Sequence, residues 1–516
     1  MLGRNVLVGL LSSIWSAVLG FAVIPFYLKY LGVEAYGLIG FFATAQAMFQ
    51  LLDMGLASTI NRQVARHAAE NRMFEVSTLL HTLAIVYWTV AALISVIALA
   101  VAPFIANYWL HANRLSGETL QHSVMLLGVV ISCRWPIGLY QGVLMGAQRI
   151  PTVSAINAVM STLASLGAVT VLSVIAPTIE AFFTWQALAG LAQALLMRRA
   201  AWRAVGRQSE CRFSLAELKK IWRFSAGMGA IALLGLVFTQ LDKIILSRML
   251  DLSEFGRYML ASVVVSGLYI FVSPMFNALY PRFTSLVAAN DDAAVSNQYR
   301  IGTRALACVL FPLAMVLVLF SADIVRLWTG DAVIAEAIAP VIALLAVGSA
   351  LHGVMHVPHA MQLAYGETGL PLTINLILVA LLAPLITVLA LSLGAKGGAL
   401  AWLILHVLYV GIGSWLTHRR LLIGQRKEWL LNDVGIPLLV SLLVGAVAAG
   451  LLAFLQIAPL GRSLLCLAAF VSALISTLFF SPLLRVALIA HLPQRFRLVV
   501  EAGRGLPKFN WDRKKR

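Results

Sequence analysis

Charge is what this sequence has least of. Only 11% of its 516 residues are Asp, Glu, Lys or Arg, against about 25% in a soluble domain. With 61% hydrophobic residues and a mean hydropathy of +0.90, the chain cannot cover a water-facing surface. A soluble enzyme, a disordered chain and a fibrous protein are all excluded. Cysteine is also scarce: Cys133, Cys211, Cys308 and Cys466 never form a C-x-x-C pair, so neither a disulfide framework nor a zinc site is indicated. Three of the four lie in apolar stretches, as inert packing residues. No P-loop, no Ser/His/Asp or Cys/His set and no carboxylate pair on a loop is present, and no loop is large enough for a catalytic domain. The reading is of a protein that is not an enzyme, with no cofactor and no metal.

What is abundant is apolar sequence in long runs. A membrane helix needs about 20 such residues. Fourteen stretches qualify, near 5–28, 37–60, 77–104, 120–144, 152–175, 179–197, 224–247, 256–279, 302–321, 335–361, 372–393, 398–417, 434–457 and 463–484. The first has Arg4 before its apolar run, like a signal peptide, but no small-x-small cleavage site, so it reads as a retained helix. The sequence thus predicts an all-α polytopic membrane protein of about 14 transmembrane helices.

The charge that exists is mostly positive, +17 in net terms. With the N-terminus placed in the cytoplasm, 29 of the 38 Lys and Arg fall on the cytoplasmic side and 7 outside. Both termini are therefore expected to be cytoplasmic. Most of the net charge records topology and attraction to lipid headgroups, with no call for nucleic acid.

An offset of 219–220 residues brings the chain into register with itself. YLGVEAYG (30–37) falls on MLDLSEFG (249–256), GAQRIP (146–151) on GETGLP (366–371), and MRRAAW (197–202) on THRRLL (417–422). Each match alone is weak; three at one offset indicate a duplicated six-helix unit. Six is even, so the copies run the same way, as a parallel repeat of the kind found in transporters. The expected plan is an N-terminal six-helix lobe (1–205), a basic amphipathic linker on the cytoplasmic surface (206–222), a second six-helix lobe (223–425), two extra transmembrane helices (426–490) and a basic cytoplasmic tail (491–516). The linker carries a capping box, Ser214-x-x-Glu217. Beyond it Leu215, Leu218, Ile221 and Trp222 share one face, and Lys219, Lys220 and Arg223 another.

An ionisable group at membrane depth costs about 2.5–3.5 kcal/mol on insertion scales, which makes it a candidate for function. Arg134 lies deep in the fourth helix, before Trp135-Pro136, which can open the helix there. Asp242 and Lys243 lie in the seventh. As sequence neighbours they point about 100° apart, so they are expected not to neutralise each other. Asp53 lies in the second helix. Lys29 and Arg248 end the first and seventh at equivalent repeat positions, and Arg62 lies at an inner helix end with Arg304; all four can snorkel to an interface. His352, His356 and His359 share a face of the tenth helix, near the repeat equivalent of Arg134. They suit packing, a pyrophosphate-facing role or coupling better than metal binding, because no carboxylate accompanies them.

These segments carry a resemblance. IPFYLKYLGVEAYG, LLDMGLASTINRQVAR and the later FTQLDKIILSRMLDLSEFGRYMLA resemble the polysaccharide-transporter branch of the MOP flippase superfamily, the Wzx-like O-antigen and exopolysaccharide flippases. The resemblance extends to the span count and the 6+6+2 plan along the whole chain. It implies a V-shaped bundle of two lobes around a cavity, with polyprenyl-pyrophosphate-linked oligosaccharide moved from the inner to the outer leaflet of the bacterial inner membrane. It implies cationic lumen residues, matched here by Arg134, Lys243, Lys29 and Arg248. Membrane lipids, and polymerase or other assembly proteins of surface polysaccharide, are the partners it implies. The physics suits that task. A bare hydroxyl costs about 4–8 kcal/mol in hydrocarbon, so a sugar head needs a polar cleft while its tail stays in lipid. Fixed cations offset the desolvation of a pyrophosphate. Two rival readings remain: a MATE-like multidrug or cation antiporter, for which Asp53 and Asp242 would be the acidic residues, and a membrane glycosyltransferase or polymerase, for which an active-site loop is missing.

Overall fold

The computed structural model describes residues 2–53, 55–69, 73–206, 213–215, 218–219, 235, 237–455, 458–481 and 483–485. Cys211, the Ser214–Glu217 cap as a pair, most of the 206–222 linker and the 491–516 tail lie outside them. Among the described residues the chain is helical, with no strand; the sole β-type contact is an isolated bridge between His111 and Asp251.

The helices follow in chain order: α1 Leu2–Phe49, α2 Leu56–Ala69, α3 Met73–Phe104, α4 Gly117–Arg134, α5 Ile137–Gly146, α6 Ile150–Thr170 and α7 Ile179–Val205. Residues 237–249 form α8. Then come α9 Leu252–Ser266, α10 Tyr269–Ala288, α11 Asp292–Thr329, α12 Ala332–Val354, α13 His356–Ala364, α14 Gly369–Leu408, α15 Ser414–Arg420, α16 Arg426–Glu428, α17 Ile436–Phe454 and α18 Pro459–Phe479. Starts are set by short polar side chains that take up orphan backbone N–H groups. Ser116 accepts from Thr119 N–H before α4, and Thr178 from Ala181 N–H before α7, each with a glutamate in the first turn. Asp251 accepts from Glu254 N–H before α9, and Asp331 from the Val333 and Ile334 N–H groups before α12.

Among the described residues, ten helical segments are long and apolar enough to span a membrane, eleven if the bent pair α9–α10 is one span. The expected fourteen is not reached among the described residues, and the reasons are local. Val8–Phe49 and Gly369–Arg420 are 42 and 52 residues long. At 1.5 Å per residue each is about twice the hydrocarbon thickness. Each is broken once, at Gly32 (φ 80) and Gly394 (φ 58), in left-handed backbone that only glycine adopts cheaply. Four of the expected spans therefore lie pairwise in two segments. Half of another, 224–247, lies outside the described residues.

Packing divides the chain into two compact units. One comprises residues 1–264, 324–341 and 375–405; the other comprises 265–323, 342–374 and 406–516. This is a different cut from the one the internal repeat draws.

The first unit has a core of Leu56, Ile60 and Val64 from α2, Leu80, Leu83 and Tyr87 from α3, Tyr140 and Val143 from α5 and Met197 from α7. In the second, α11 is tied to α18 and to the segment that leads into α17. Buried Asp433 pairs with Arg304 and, at 3.2 Å, with Arg300; Arg462 makes a two-pronged pair with Asp323 at 2.9 and 2.8 Å. Arg304 and Asp323 are 19 residues apart, about 29 Å along a helix, close to the thickness of a bilayer core.

Candidate functional site

The first unit contains a cavity of about 560 Å³ built from five helices and one turn. α1 contributes Gln46 and Phe49 as it ends, and the turn after it contributes Gln50 and Asp53. α4 and α5 contribute Ile131, Arg134, Trp135, Ile137, Gly138 and Gln141; Ala57 comes from α2 and Gln193 from α7. The expected opening after Arg134 is present: α4 ends at Arg134 and α5 begins at Ile137. Pro136 has no N–H to continue the helical ladder, so the chain turns where the guanidinium emerges.

Among the described residues, Arg134 is held without a counter-charge. Its Nη1 donates to Gln46 Oε1 at 3.2 Å and its Nη2 to Gln186 Oε1 at 2.5 Å. Gln186 Nε2 donates in turn to Ala164 O, which fixes its oxygen toward the arginine. The guanidinium also lies 5.5 Å from the Phe42 ring centroid, in cation–π range. Space for its stem is made by Gly190, where a Cβ would lie 2.9 Å from Arg134 Cγ. All these polar partners are neutral, so the positive charge is available to a ligand.

Asp53 lines the same cavity but is engaged: Tyr87 O–H donates to its Oδ1, and Ala57 N–H to its Oδ2 at 3.2 Å. Tyr87 belongs to the core, so this carboxylate is anchored to the buried centre of the unit. Opposite it, Gln141 and Gln193 both donate to Asn157 Oδ1, at 3.1 and 3.0 Å. The wall thus offers one cation, one carboxylate, four glutamines and two aromatic rings. Amide groups both donate and accept, as hydroxyl-rich ligands require.

The other expected residues fall elsewhere. Lys243 and Asp242 overturn the expectation that they do not neutralise each other: Lys243 Nζ lies 3.2 Å from Asp242 Oδ1 and 3.0 Å from Thr239 O. Their Cα–Cβ bonds do diverge, but the four-methylene lysine stem folds back across the angle. Tyr258 O–H also donates to Asp242, at 2.7 Å. This is a self-neutralised structural pair, and neither residue lines the cavity. Lys29 and Arg248 are exposed; Lys29 sits 5.7 Å from the Tyr30 ring and Arg248 bonds His111. Arg62 is exposed on α2. His356 and His359 lie in the second unit. A scan for charge missed the amides Gln46, Gln50, Gln141, Gln193, Gln186 and Asn157. Their signal was present, since uncharged polar side chains are also costly in apolar helices.

The profile of the polysaccharide biosynthesis protein family matches residues 2–287, a span that holds every residue lining the cavity. No curated protein matches the sequence. Among solved structures, the lipid II flippase MurJ in an inward closed conformation is similar with a TM-score of 0.70 at 13% identity, over 94% of this chain and all of that one. An inward-facing multidrug resistance MATE family transporter of the MOP superfamily matches with a TM-score of 0.66 at 14% identity, over 80% of this chain and 96% of the other. A MATE transporter of Vibrio cholerae in its bent form matches with 0.51 at 15% identity, over 83% and 96%. These likenesses establish a shared fold.

Proposed function

The chain belongs to the polysaccharide biosynthesis protein family, and from that premise we propose that it is a flippase for a polyprenyl-pyrophosphate-linked oligosaccharide. It moves the repeat unit from the cytoplasmic to the periplasmic leaflet of a bacterial inner membrane, by alternating access, for O-antigen, exopolysaccharide or capsule biosynthesis. Both termini are cytoplasmic.

One observation carries this reading: an arginine at membrane depth whose hydrogen-bond partners are neutral amides, in a cavity it shares with four glutamines, Trp135, Phe49 and the already engaged Asp53. Arg134 suits the pyrophosphate, as guanidinium pairs with phosphate oxygens in a fixed fork. The glutamines suit sugar hydroxyls, and the rings suit the apolar faces of pyranoses. The polyprenyl chain stays in lipid.

The parallel repeat in this reading is supported by a contact. Gly37 and Gly256, equivalent in the 219-residue register, pack against each other where α1 crosses α9: a Cβ on Gly37 would lie 2.1 Å from Leu252 O, and one on Gly256 2.3 Å from Val33 O. Equivalent residues meet in this way on the axis that relates two copies.

The antiporter alternative needs an acid free to exchange a cation. Asp53 is the acid in the cavity, and it is bound by Tyr87 and Ala57. The test is a deletion strain with no redundant flippase: lipid-linked repeat units should accumulate on the cytoplasmic leaflet. If they reach the outer leaflet at the normal rate, the reading fails. Altered drug sensitivity with normal surface polysaccharide favours the antiporter.

A further inference from the structure

The second unit holds a cluster of four histidines that the cavity in the first does not use. α12 stops at Val354 and α13 starts at His356, with Met355 between them (φ −69, ψ −8). The Met355 N–H is shared between Leu351 O at 3.3 Å and His352 O at 3.1 Å. This break falls 220 residues after Trp135, where α4 gives way to α5, the same offset that aligns Gly146 with Gly366. At the first break the chain places a guanidinium. At the second it places imidazoles.

His352 and His356 have ring centroids 4.8 Å apart. The fourth histidine, His406, comes from the end of α14, is fully buried and lies 4.7 Å from His352. His359 stacks on Phe276 at 5.9 Å, and the His356 ring meets the same phenylalanine edge-on. Tyr269 of α10 shares a 2.6 Å hydrogen bond with His352 Nδ1. His356 Nδ1 lies 3.1 Å from His352 O. A carbonyl only accepts, so Nδ1 carries the hydrogen and Nε2 holds the lone pair.

Among the described residues, the titratable groups facing the cluster are Tyr269 from α10 and Tyr409 from the segment after α14, the latter with its ring 6.1 Å from His352 and 6.3 Å from His406. α11 approaches with Leu310, beside Gly353. Among the described residues no group of three or more His, Cys, Asp or Glu has the geometry of a metal site. Ionisable rings at this depth carry a cost that apolar packing would avoid.

We propose that these four histidines form a proton-binding site. One imidazole takes a proton from water at the ring nitrogen that carries its lone pair, and the second half of the chain then carries, at the equivalent break, the charge that Arg134 carries permanently in the first. His352 and its two neighbours, His356 and His406, take one proton and not several, because their rings lie under 5 Å from that of His352 and would hold like charges together. An imidazolium needs hydration or a partner, so the proton favours a loosened α12–α13 break over the closed one, and proton binding shifts that equilibrium.

The test uses the full chain labelled with ¹⁵N-histidine in phosphatidylethanolamine–phosphatidylglycerol bilayers, titrated from pH 8 to pH 5 by solid-state NMR. Single His→Gln substitutions assign positions 352, 356, 359 and 406. The expected result is about one imidazolium per molecule shared over these positions, with backbone hydrogen exchange at 351–365, corrected for intrinsic rates, rising as the pH falls. Four rings that stay neutral to pH 5 with flat exchange would reduce the cluster to aromatic packing and overturn the proposal, and so would four independent protonations. The wild-type exchange profile needs no variant, so the proposal stays testable if a substitution at a deeper position does not fold. No glycan enters the experiment, so its outcome is separate from that of the flippase reading.

Discussion

At the scale of single residues, Arg134 is the sharpest case, because its charge and its hydrogen bonds can be separated. Hydrogen bonds to a charged group contribute about 1.5–3 kcal/mol. Arg134→Ala should therefore reduce flipping of a labelled lipid-linked oligosaccharide in proteoliposomes by about tenfold or more, and Arg134→Lys by less, since it keeps the charge and loses the fork. Wild-type rates in Arg134→Ala would remove the residue from the site. Gly190 gives an independent handle, since a methyl there must displace the Arg134 stem. Gly190→Ala should slow flipping, and combining it with Arg134→Ala should add little, because neighbours that act through one group are not additive. Full additivity in that cycle would show that Gly190 acts on something else.

Elements are held by a few polar contacts whose costs differ with burial. Asp433 is fully buried between Arg304 and Arg300, and removing one partner of a buried pair costs about 3–5 kcal/mol. Asp433→Ala should thus lower the melting temperature of the purified protein markedly. Arg462→Ala should lower it far less, because the Arg462–Asp323 pair is over one-third exposed on both sides and exposed pairs contribute about 0–1 kcal/mol. Equal losses in the two variants would show that burial does not set the difference. The helices themselves were legible from hydropathy, because spanning a bilayer demands long apolar runs. Joining them was not: hydropathy cannot tell a loop from a glycine in left-handed backbone, and so Gly32 and Gly394 run two spans into one helical segment each.

For the whole molecule, the relevant quantity is the work done on an anion crossing the membrane. The inside-negative potential favours outward movement of negative charge by about 2.3 kcal/mol per charge per 100 mV. Dissipating the potential with potassium and valinomycin, at fixed pH on both sides, should slow export in reconstituted vesicles. A rate indifferent to the potential would mean that the charge of the pyrophosphate is not carried across the field. The excess of Lys and Arg in alternate loops predicts the orientation that makes this sign favourable, and alkaline phosphatase fused at the C-terminus should stay inactive in the cytoplasm.

The sequence by itself determined that this is a helical membrane protein, and that Arg134 and the histidines of the tenth span needed explaining. Composition and period decide those points, since each follows from the cost of placing polar groups in hydrocarbon. Tertiary structure decided which polar groups work together. The Lys243 stem folds onto Asp242 and removes both from the list of free charges. Glutamines from α1, α5 and α7, far apart in the chain, converge with Arg134 on one cavity, and His406 joins His352 from more than fifty residues away. Partner choice depends on distances between helices, which no local pattern encodes, and a charge counted along the chain says nothing of whether a neighbour has already neutralised it.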